Sequence, residues 1–518
     1  MAGVTTRSVS AYSLYAQGLR ATADGDINGA RALFAAALRE DSTFAMAAYH
    51  YGRLAPYRVD LITGLDRAMR LSVRATERER LLIHAGWAAA VLARELGAVA
   101  DSLVTRYPQE TQGHLFKGMA LLGAGDFTGA VAPLERVIAM DSLSFTRVDS
   151  VSGCNACMAF SQLVLTYELA DSLAAAERTA RRWARLDPES SPPWVSLWDV
   201  LERESKFDEA QQVAAHIASI NRDAIAATDR TAINAIRMGN FELADRVLRA
   251  AIQGSSIAAQ ADAMWDLDLS LRHQGRAQEA VAVARQYREL SERAQHLAPN
   301  EASQTVRPLA AALYDAGRYR EAAALFDSSA RYRAAGEPPA SQARERAWSL
   351  AHAARSLAAA GDTSELSARA DTLIAVGMQS ASARDQRLGS YIRGLLLLAR
   401  NDLPNAAVAI RSSIYSLPGG YTRENYDLAR VYLRLGRPRE AIAVLQPVLR
   451  GKLDASNMYV TQTEIRELLA QAWDSAGRRD SASMHYAWVA KAWANGDPPY
   501  AKRADDARRR ISPAVNSR

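Results

Sequence analysis

The sequence predicts an all-α fold, a solenoid of stacked helical hairpins. The main observation is a glycine followed five residues later by an alanine, a spacing that recurs along the chain. A helix that ends at glycine, turns, and restarts with a small residue against the preceding helix forms a close-packed hairpin. Repetition of such a hairpin is typical of a solenoid. The pairs are Gly25/Ala30, Gly125/Ala130, Gly239/Ala244, Gly275/Ala280, Gly317/Ala322, Gly436/Ala441 and Gly477/Ala482, joined by Asn401/Ala406 because asparagine tolerates the same left-handed turn.

The spacing also sets a register for the whole chain. If Gly25 is position 15 of a unit, thirteen units fit, and ten of them have alanine at position 20. The units that begin near residues 157, 191 and 225 follow one another at intervals of 34 residues. The predicted units begin near residues 11, 45, 77, 111, 157, 191, 225, 261, 303, 347, 387, 422 and 463.

A period of 34 residues is that of the tetratricopeptide repeat, and other positions of the units resemble that family. Position 8 is small, as in Gly18, position 24 is bulky, as in Phe34, and proline follows some second helices, as at Pro188. Small residues let backbones approach, bulky ones fill the gap between helices, and proline ends a helix. The resemblance covers most of residues 11–494 and implies a right-handed α-solenoid of about thirteen hairpins.

Some units depart from the pattern and divide the chain. Position 20 is Gly64, Leu96 and Leu366 in three units, which predicts divergent hairpins packed at altered angles. Wider spacings after the units at 111, 261 and 303 predict longer loops or lengthened helices. The predicted parts are an N-terminal segment (1–10), N-terminal units (11–142), an interrupting loop (143–156), central units (157–290), C-terminal units (303–494) and a tail (495–518).

The composition agrees with thin layers of packed helices, and it argues against a nucleic-acid-binding protein and against a membrane-spanning segment. Hydrophobic residues make up 49% of the chain but aromatic residues only 7%. The net charge of +6 comes from 63 basic and 57 acidic residues spread along the sequence, so nucleic-acid binding is not expected. No apolar run approaches the ~20 residues that span a bilayer, and the start lacks an apolar signal core. The expected location is cytoplasmic as written, or extracytoplasmic if the chain is cut from a longer membrane-anchored protein.

The sequence contains no pattern that points to catalysis. Its eight histidines have no metal-ligand spacing, and neither a phosphate-binding glycine loop nor a nucleophile elbow occurs. We therefore predict a protein that is not an enzyme, with no catalytic residue, no metal and no cofactor.

The two cysteines, Cys154 and Cys157, are the one local group of residues that stands out for its possible chemistry. They lie at a predicted helix start, where the helix N-terminus lowers a thiol pKa. Four-ligand zinc would need two more ligands, and the sequence contains no other cysteine. The alternatives are two free thiols, which we favour, a local disulfide in an oxidising compartment, and a metal or redox role.

The predicted groove is the candidate functional site. In tetratricopeptide arrays the first helix of each unit lines the groove through positions 2, 5, 9 and 12. The resemblance therefore implies a partner-binding surface rich in aromatic residues and arginines, the residue types that dominate binding hot spots. An acidic protein or peptide partner is the expected ligand, although the lysine and asparagine set that clamps carboxylates in some relatives is missing. The predicted groove residues are Trp265, Arg272, Arg307, Tyr314, Trp348, Arg355, Tyr391, Arg423, Tyr426 and Arg430.

Two stretches, Leu65–His84 and Tyr486–Pro499, resemble segments in the tetratricopeptide regions of bacterial signalling proteins. Such regions are fused to Ser/Thr kinase domains or to winged-helix transcription activators, and this chain has the motifs of neither. The sequence therefore predicts a non-catalytic interaction scaffold or a sensory module of a bacterial signalling system. The alternative is a regulatory region that binds a small effector and acts on a separate or missing kinase or activator domain. The sequence gives no oligomeric state.

Overall fold

The computed structural model describes residues 5–56, 58–141, 154–220, 224–254, 256–293, 299–333, 338–419, 422–453 and 458–511. Within these ranges the chain is all-α, with 27 α-helices and no strand. None of these helices combines the length and the apolar character needed to cross a membrane.

Within the described residues, consecutive helices pack as helix–turn–helix pairs along most of the sequence. This order confirms the predicted all-α solenoid of helical hairpins. The first eleven helices are α1 (Val9–Ala23), α2 (Ile27–Glu40), α3 (Ala45–Arg53), α4 (Arg58–Leu71), α5 (Glu77–Val91), α6 (Leu96–Arg106), α7 (Thr111–Ala124), α8 (Phe127–Met140), α9 (Asn155–Leu169), α10 (Leu173–Leu186) and α11 (Ser191–Arg203).

Several of the remaining helices are longer than the first eleven, and α19, the longest, has 21 residues. The extra residues of the wide spacings therefore partly lengthen helices. These helices are α12 (Phe207–Ile220), α13 (Ala224–Arg237), α14 (Phe241–Ile252), α15 (Ile257–His273), α16 (Ala277–Arg293), α17 (Pro299–Asp315), α18 (Tyr319–Arg333), α19 (Pro339–Ala359), α20 (Thr363–Gly377), α21 (Ala383–Ala399), α22 (Leu403–Ser413), α23 (Thr422–Arg434), α24 (Pro438–Leu445), α25 (Gln462–Ser475), α26 (Arg479–Ala492) and α27 (Pro498–Arg510).

The turn inside each regular hairpin is built by two adjacent residues. Gly25 has a left-handed backbone, with φ of 81°, and the amide of Asp26 donates back to the carbonyl of Ala21. This is the bonding of a helix that ends in a left-handed residue. The Asp26 carboxylate then accepts a hydrogen bond from the amide of Gly29 and caps the second helix. The left-handed position is also taken by Asn401, as predicted, and by Asp171 and Ser205, which the glycine pattern missed.

Small residues bring the two helices of a hairpin together. All ten alanines at position 20 are buried, none more than 2% exposed: Ala30, Ala130, Ala176, Ala210, Ala244, Ala280, Ala322, Ala406, Ala441 and Ala482. A Cβ added to Gly18 would lie 2.7 Å from the ring of Phe34, so position 24 packs directly on position 8. In the divergent hairpin α3–α4 the contact is between two backbones, because a Cβ on Gly52 would lie 2.9 Å from the carbonyl carbon of Gly64.

The chain divides into two compact units. The first holds α1–α10 and most of α11; the second holds the last turn of α11 and α12–α27, apart from the first residues of α19 and α21. The six predicted parts of the chain remain predictions. Most of the interrupting loop 143–156 and the end of the tail lie outside the described residues, whereas the first part of the tail forms helix α27.

Within the second unit the last helices pack on earlier ones. The amide of Asp497 donates to the carbonyl of Gly275, and the Asp497 carboxylate accepts from the amide of Gln278, both at 2.9 Å. The hydroxyl of Tyr500 donates to the carbonyl of Asp315 at 2.9 Å. The array of this unit therefore curls until its end meets α15, α16 and α17, which encloses the inner face described next.

Candidate partner-binding face of the second unit

All ten predicted groove residues lie on first helices of the hairpins, and the structure brings most of them into one connected surface. The guanidinium of Arg355 lies 4.5 Å from the ring centre of Tyr314 and 5.8 Å from that of Tyr426. Arg307 lies 3.9 Å from the ring centre of Trp348. Because these side chains come from α17, α19 and α23, they form one face across several hairpins. We call this surface the inner face.

The remaining predicted residues differ in their surroundings. The ring of Trp265 packs edge-on against Tyr287 of α16, with ring centres 5.8 Å apart. The Arg430 side chain is 55% exposed and pairs with Asp427. By contrast Tyr391 and Arg423 are fully buried. The predicted set therefore contains side chains that solvent reaches and side chains that it does not.

The inner face of the second unit is occupied by the chain itself. The connection between α24 and α25 runs along it, and we call its described residues, 447–453 and 458–461, the inner segment. Its first residues, Pro447–Arg450, form a 3-10 helix. Leu453, Val460 and Thr461 are at most 1% exposed. A groove that the repeat register predicts as open is thus filled by an irregular stretch of the same chain.

Arginines hold the first part of the inner segment through its main chain. Arg237 donates from Nη1 to the carbonyl of Leu449 at 2.7 Å and from Nη2 to the carbonyl of Gly451 at 2.5 Å. Arg203 donates from Nε to the carbonyl of Arg450 at 2.5 Å. A guanidinium presents several N–H donors in a fixed plane, so one side chain can bind the carbonyls of two residues that lie two positions apart.

Two predicted groove arginines hold the second part of the inner segment in the same way. Arg272 donates from Nη1 to the carbonyl of Met458 at 2.5 Å, while its Nε donates to the Asp315 carboxylate at 2.6 Å. Arg355 donates from Nη1 to the carbonyl of Tyr459 at 3.0 Å. The four arginines therefore bind five main-chain carbonyls, whatever side chains the segment has there.

An aromatic pocket holds the side chain of Tyr459. The ring centre of Tyr459 lies 3.8 Å from that of His352 and 5.6 Å from that of Trp348. Phe326 of α18 lies on the same ring, at 6.1 Å. Arg423 donates from Nη1 to Nδ1 of His352 at 2.8 Å, which requires an unprotonated nitrogen there. Of these three ring partners, Trp348 is a predicted groove residue, whereas His352 and Phe326 are not.

Buried carboxyls lie beside the arginines of the face. Burial raises the pKa of Glu424 to about 8, although neighbouring Arg423 and Arg384 act to lower it. Burial also raises the pKa of Asp315, against the opposing effect of Arg272. Burial lowers the pKa of His352, and the surrounding arginines lower it further, so the ring stays neutral. The arginine side chains of this face are therefore the groups that bind a polar chain segment.

The sequence reasoning missed Arg203, Arg237, His352 and Tyr459. A signal existed for the first two, since they lie 34 residues apart and so share one repeat position. For Tyr459 no repeat signal exists, because it lies in a connection between units.

The two cysteines are joined by a disulfide, whereas the sequence analysis favoured free thiols. The two Cα atoms are 5.2 Å apart across the first turn of α9, a separation that a disulfide can bridge. Cys154 is the N-cap residue, and both side chains are buried. The bridge closes the turn at the start of α9.

Comparisons with known proteins give similarity only among solved structures. No protein-family model matches the chain, and no curated protein sequence does. A chain in the crystal structure of the APC/C hetero-tetramer Cut9–Hcn1 aligns over 97% of this chain and 96% of its own, with 12% identity and a TM-score of 0.33. A chain in the structure of Naa15/Naa10 bound to HypK-THB aligns over 97% of this chain and 78% of its own, with 13% identity and a TM-score of 0.26.

Proposed function

We propose that this protein is a non-catalytic scaffold that binds a segment of a partner protein on the inner faces of its hairpins. One observation carries the proposal: the inner face of the second unit already holds a chain segment, by arginine contacts to carbonyls and an aromatic pocket. A surface that binds one irregular segment of polypeptide has the donors and the ring contacts to bind another. Helical-hairpin arrays offer such surfaces over long distances.

The proposed ligand is a protein or peptide segment with acidic residues. Arginine forks pair well with carboxylates, and aromatic rings stack on apolar or cationic groups. Arg430 is the predicted groove residue with the most exposed side chain, and Trp265 is partly exposed. Both residues are at least partly exposed, so the proposal can be tested with them without removing a fully buried group.

Partner binding tests the proposal directly. Proteins captured by the purified chain would be identified by mass spectrometry, and the affinity of a purified partner segment would then be measured. Trp265→Ala and Arg430→Ala should each weaken binding by about 30-fold, as expected for hot-spot residues. The control is Arg411→Ala, an exposed residue on second helix α22. Loss of binding in the control, with full binding in both groove variants, would move the binding site to the outer face.

Trp348→Ala and Tyr391→Ala are also expected to weaken binding, but both residues contribute to the packing of the unit. The hydroxyl of Tyr391 donates to the Asp427 carboxylate at 2.7 Å. Affinities of these variants are therefore compared only after their thermal unfolding has been shown to match that of the wild type.

The finer proposal is a role in bacterial signalling. It is supported by the resemblance of Leu65–His84 and Tyr486–Pro499 to segments of such proteins. The second stretch forms the end of α26 and the start of α27. Neighbouring genes for a kinase or a transcription activator would support this role. Neighbouring genes of unrelated function in many genomes would contradict the signalling role but not the scaffold function.

A further inference from the structure

The inner segment contacts the inner face in two ways. Its side chains belong to the same apolar cluster as the hairpin residues Ala310 and Leu366, and the members from the segment are Val448, Met458, Tyr459 and Val460. Its main chain is bound in addition by arginines of the inner face. Because every polypeptide has main-chain carbonyls, a segment of another protein can accept the same hydrogen bonds.

The closed arrangement also leaves polar atoms without hydrogen bonds. Within the described part of the chain, Arg272 Nη2, Arg355 Nε and the hydroxyl of Tyr459 are buried and have no hydrogen-bond partner. Each such atom costs free energy, because it has lost water without gaining a replacement. Departure of the inner segment would return these groups to water and remove that cost.

On the basis of the proposed scaffold function, we propose that the inner segment is a replaceable occupant of the inner face, and that a partner segment with the same main-chain and aromatic contacts displaces it. The partner segment presents main-chain carbonyls to Arg237, Arg272 and Arg355. It places an aromatic side chain followed by a β-branched one where Tyr459 and Val460 now lie. The chain thus blocks its own binding face until such a partner arrives.

The first test uses the full chain and a labelled synthetic peptide with the sequence of residues 447–461. In the wild type the covalently attached segment competes with the peptide at high effective concentration, so binding should be weak. Tyr459→Ala weakens the attached competitor and should increase peptide affinity by about 30-fold, the effect of one aromatic anchor. Tyr12→Ala, on α1 of the first unit, is the matched control and should bind as the wild type does. The same peptide carrying Tyr459→Ala should not bind any of the three proteins.

A second variant ties the peptide to the arginines. Arg355→Ala in the Tyr459→Ala background should abolish the gained affinity, since the peptide loses the donor that now meets the Tyr459 carbonyl. If Tyr459→Ala binds the peptide no better than the wild type, with unchanged helical content, the inner segment is not replaceable and the proposal is overturned.

Hydrogen exchange of the wild type provides a test that needs no variant. A replaceable segment opens locally, so the amides of Tyr459 and Val460 should exchange at least tenfold faster than those of Leu468 and Leu469 in α25. Equal rates, set by unfolding of the whole unit, would overturn the proposal. If wild type and Tyr459→Ala bind a partner with equal affinity, the replaceable-segment proposal is overturned but the scaffold function is upheld. If no partner is found, the result counts against the scaffold function itself.

Discussion

Arg355 donates a hydrogen bond from Nη1 to the main-chain carbonyl of Tyr459, 104 residues further along the chain, at 3.0 Å. The same guanidinium faces the rings of Tyr314 and Tyr426 and lies near the Asp427 carboxylate. One side chain thus connects α17, α19 and α23 with the inner segment. Substitutions on the inner face will therefore change stability as well as binding, and the two effects need separate measurements.

The first prediction concerns the close approach of α3 and α4. Gly52→Ala should lower the free energy of unfolding by about 1–3 kcal/mol, because the new Cβ would lie 2.9 Å from backbone of Gly64 that cannot rotate away. Gly123→Ala is the matched control, since Gly123 is also helical but nothing lies within 4 Å of its added Cβ. The control should gain about 0.5–1 kcal/mol from helix propensity. Denaturation followed by circular dichroism measures both, and equal effects would show that the two backbones are not in contact.

The fold was predictable because the information for it is local. Gly25 and Ala30 lie in one hairpin, and the same short spacing repeats in most others. Each repeat of the spacing therefore fixes the assignment of positions in its own hairpin, and an error in one hairpin does not carry into the next. Exceptions such as Asp171 and Ser205 adopt the left-handed turn through the surrounding hairpin, which overrides the preference for glycine.

The candidate site was only half predictable for the same reason. Repeat register identifies which residues of a first helix face inward, and Arg272 and Arg355 were found in this way. Their occupant could not be found, because the contacts of Arg272 with Met458 and of Arg237 with Gly451 join positions 186 and 214 residues apart. No local pattern encodes such pairings, since they depend on how the whole unit curls.

The cysteine pair gives a second prediction. Without reductant, the intact protein should be two hydrogens lighter than the dithiol form, and neither Cys154 nor Cys157 should react with a thiol label. After reduction both should be labelled, with a loss of stability of no more than about 2 kcal/mol because the closed loop is short. Labelling of both thiols in unreduced protein would contradict the disulfide, and bound zinc or iron in stoichiometric amount would indicate a metal site instead.

The third prediction is a pH dependence caused by Glu424. Burial raises its pKa from 4.5 to about 8 in the folded protein, so between these values unfolding releases a proton. The free energy of unfolding should therefore fall as pH rises through this window, by up to about 1.4 kcal/mol per pH unit. Glu424→Gln, which cannot ionise, should flatten that slope.

Glu440→Gln serves as the control for Glu424→Gln, because Glu440 lies on the exposed side of neighbouring helix α24. It should leave the slope as in the wild type. The measurement is chemical denaturation of the three proteins at several pH values from 5 to 9. Three identical slopes would mean that Glu424 is ionised in the folded protein and that its burial is not as the structure has it.

The last prediction concerns the contact between the end of the chain and α15. Gly275 and Gly436 both have left-handed backbones, with φ of 68° and 69°, so alanine should cost about 1–2 kcal/mol at either position. Only at Gly275 would the new Cβ meet other residues, lying 2.6 Å from Tyr500 and 2.9 Å from Trp493. Gly275→Ala should therefore cost about 1–3 kcal/mol more than Gly436→Ala, and should also speed amide exchange in α27. If both variants lose the same stability and α27 exchanges as in the wild type, the last helices do not pack on α15, and the inner face is not enclosed from that side.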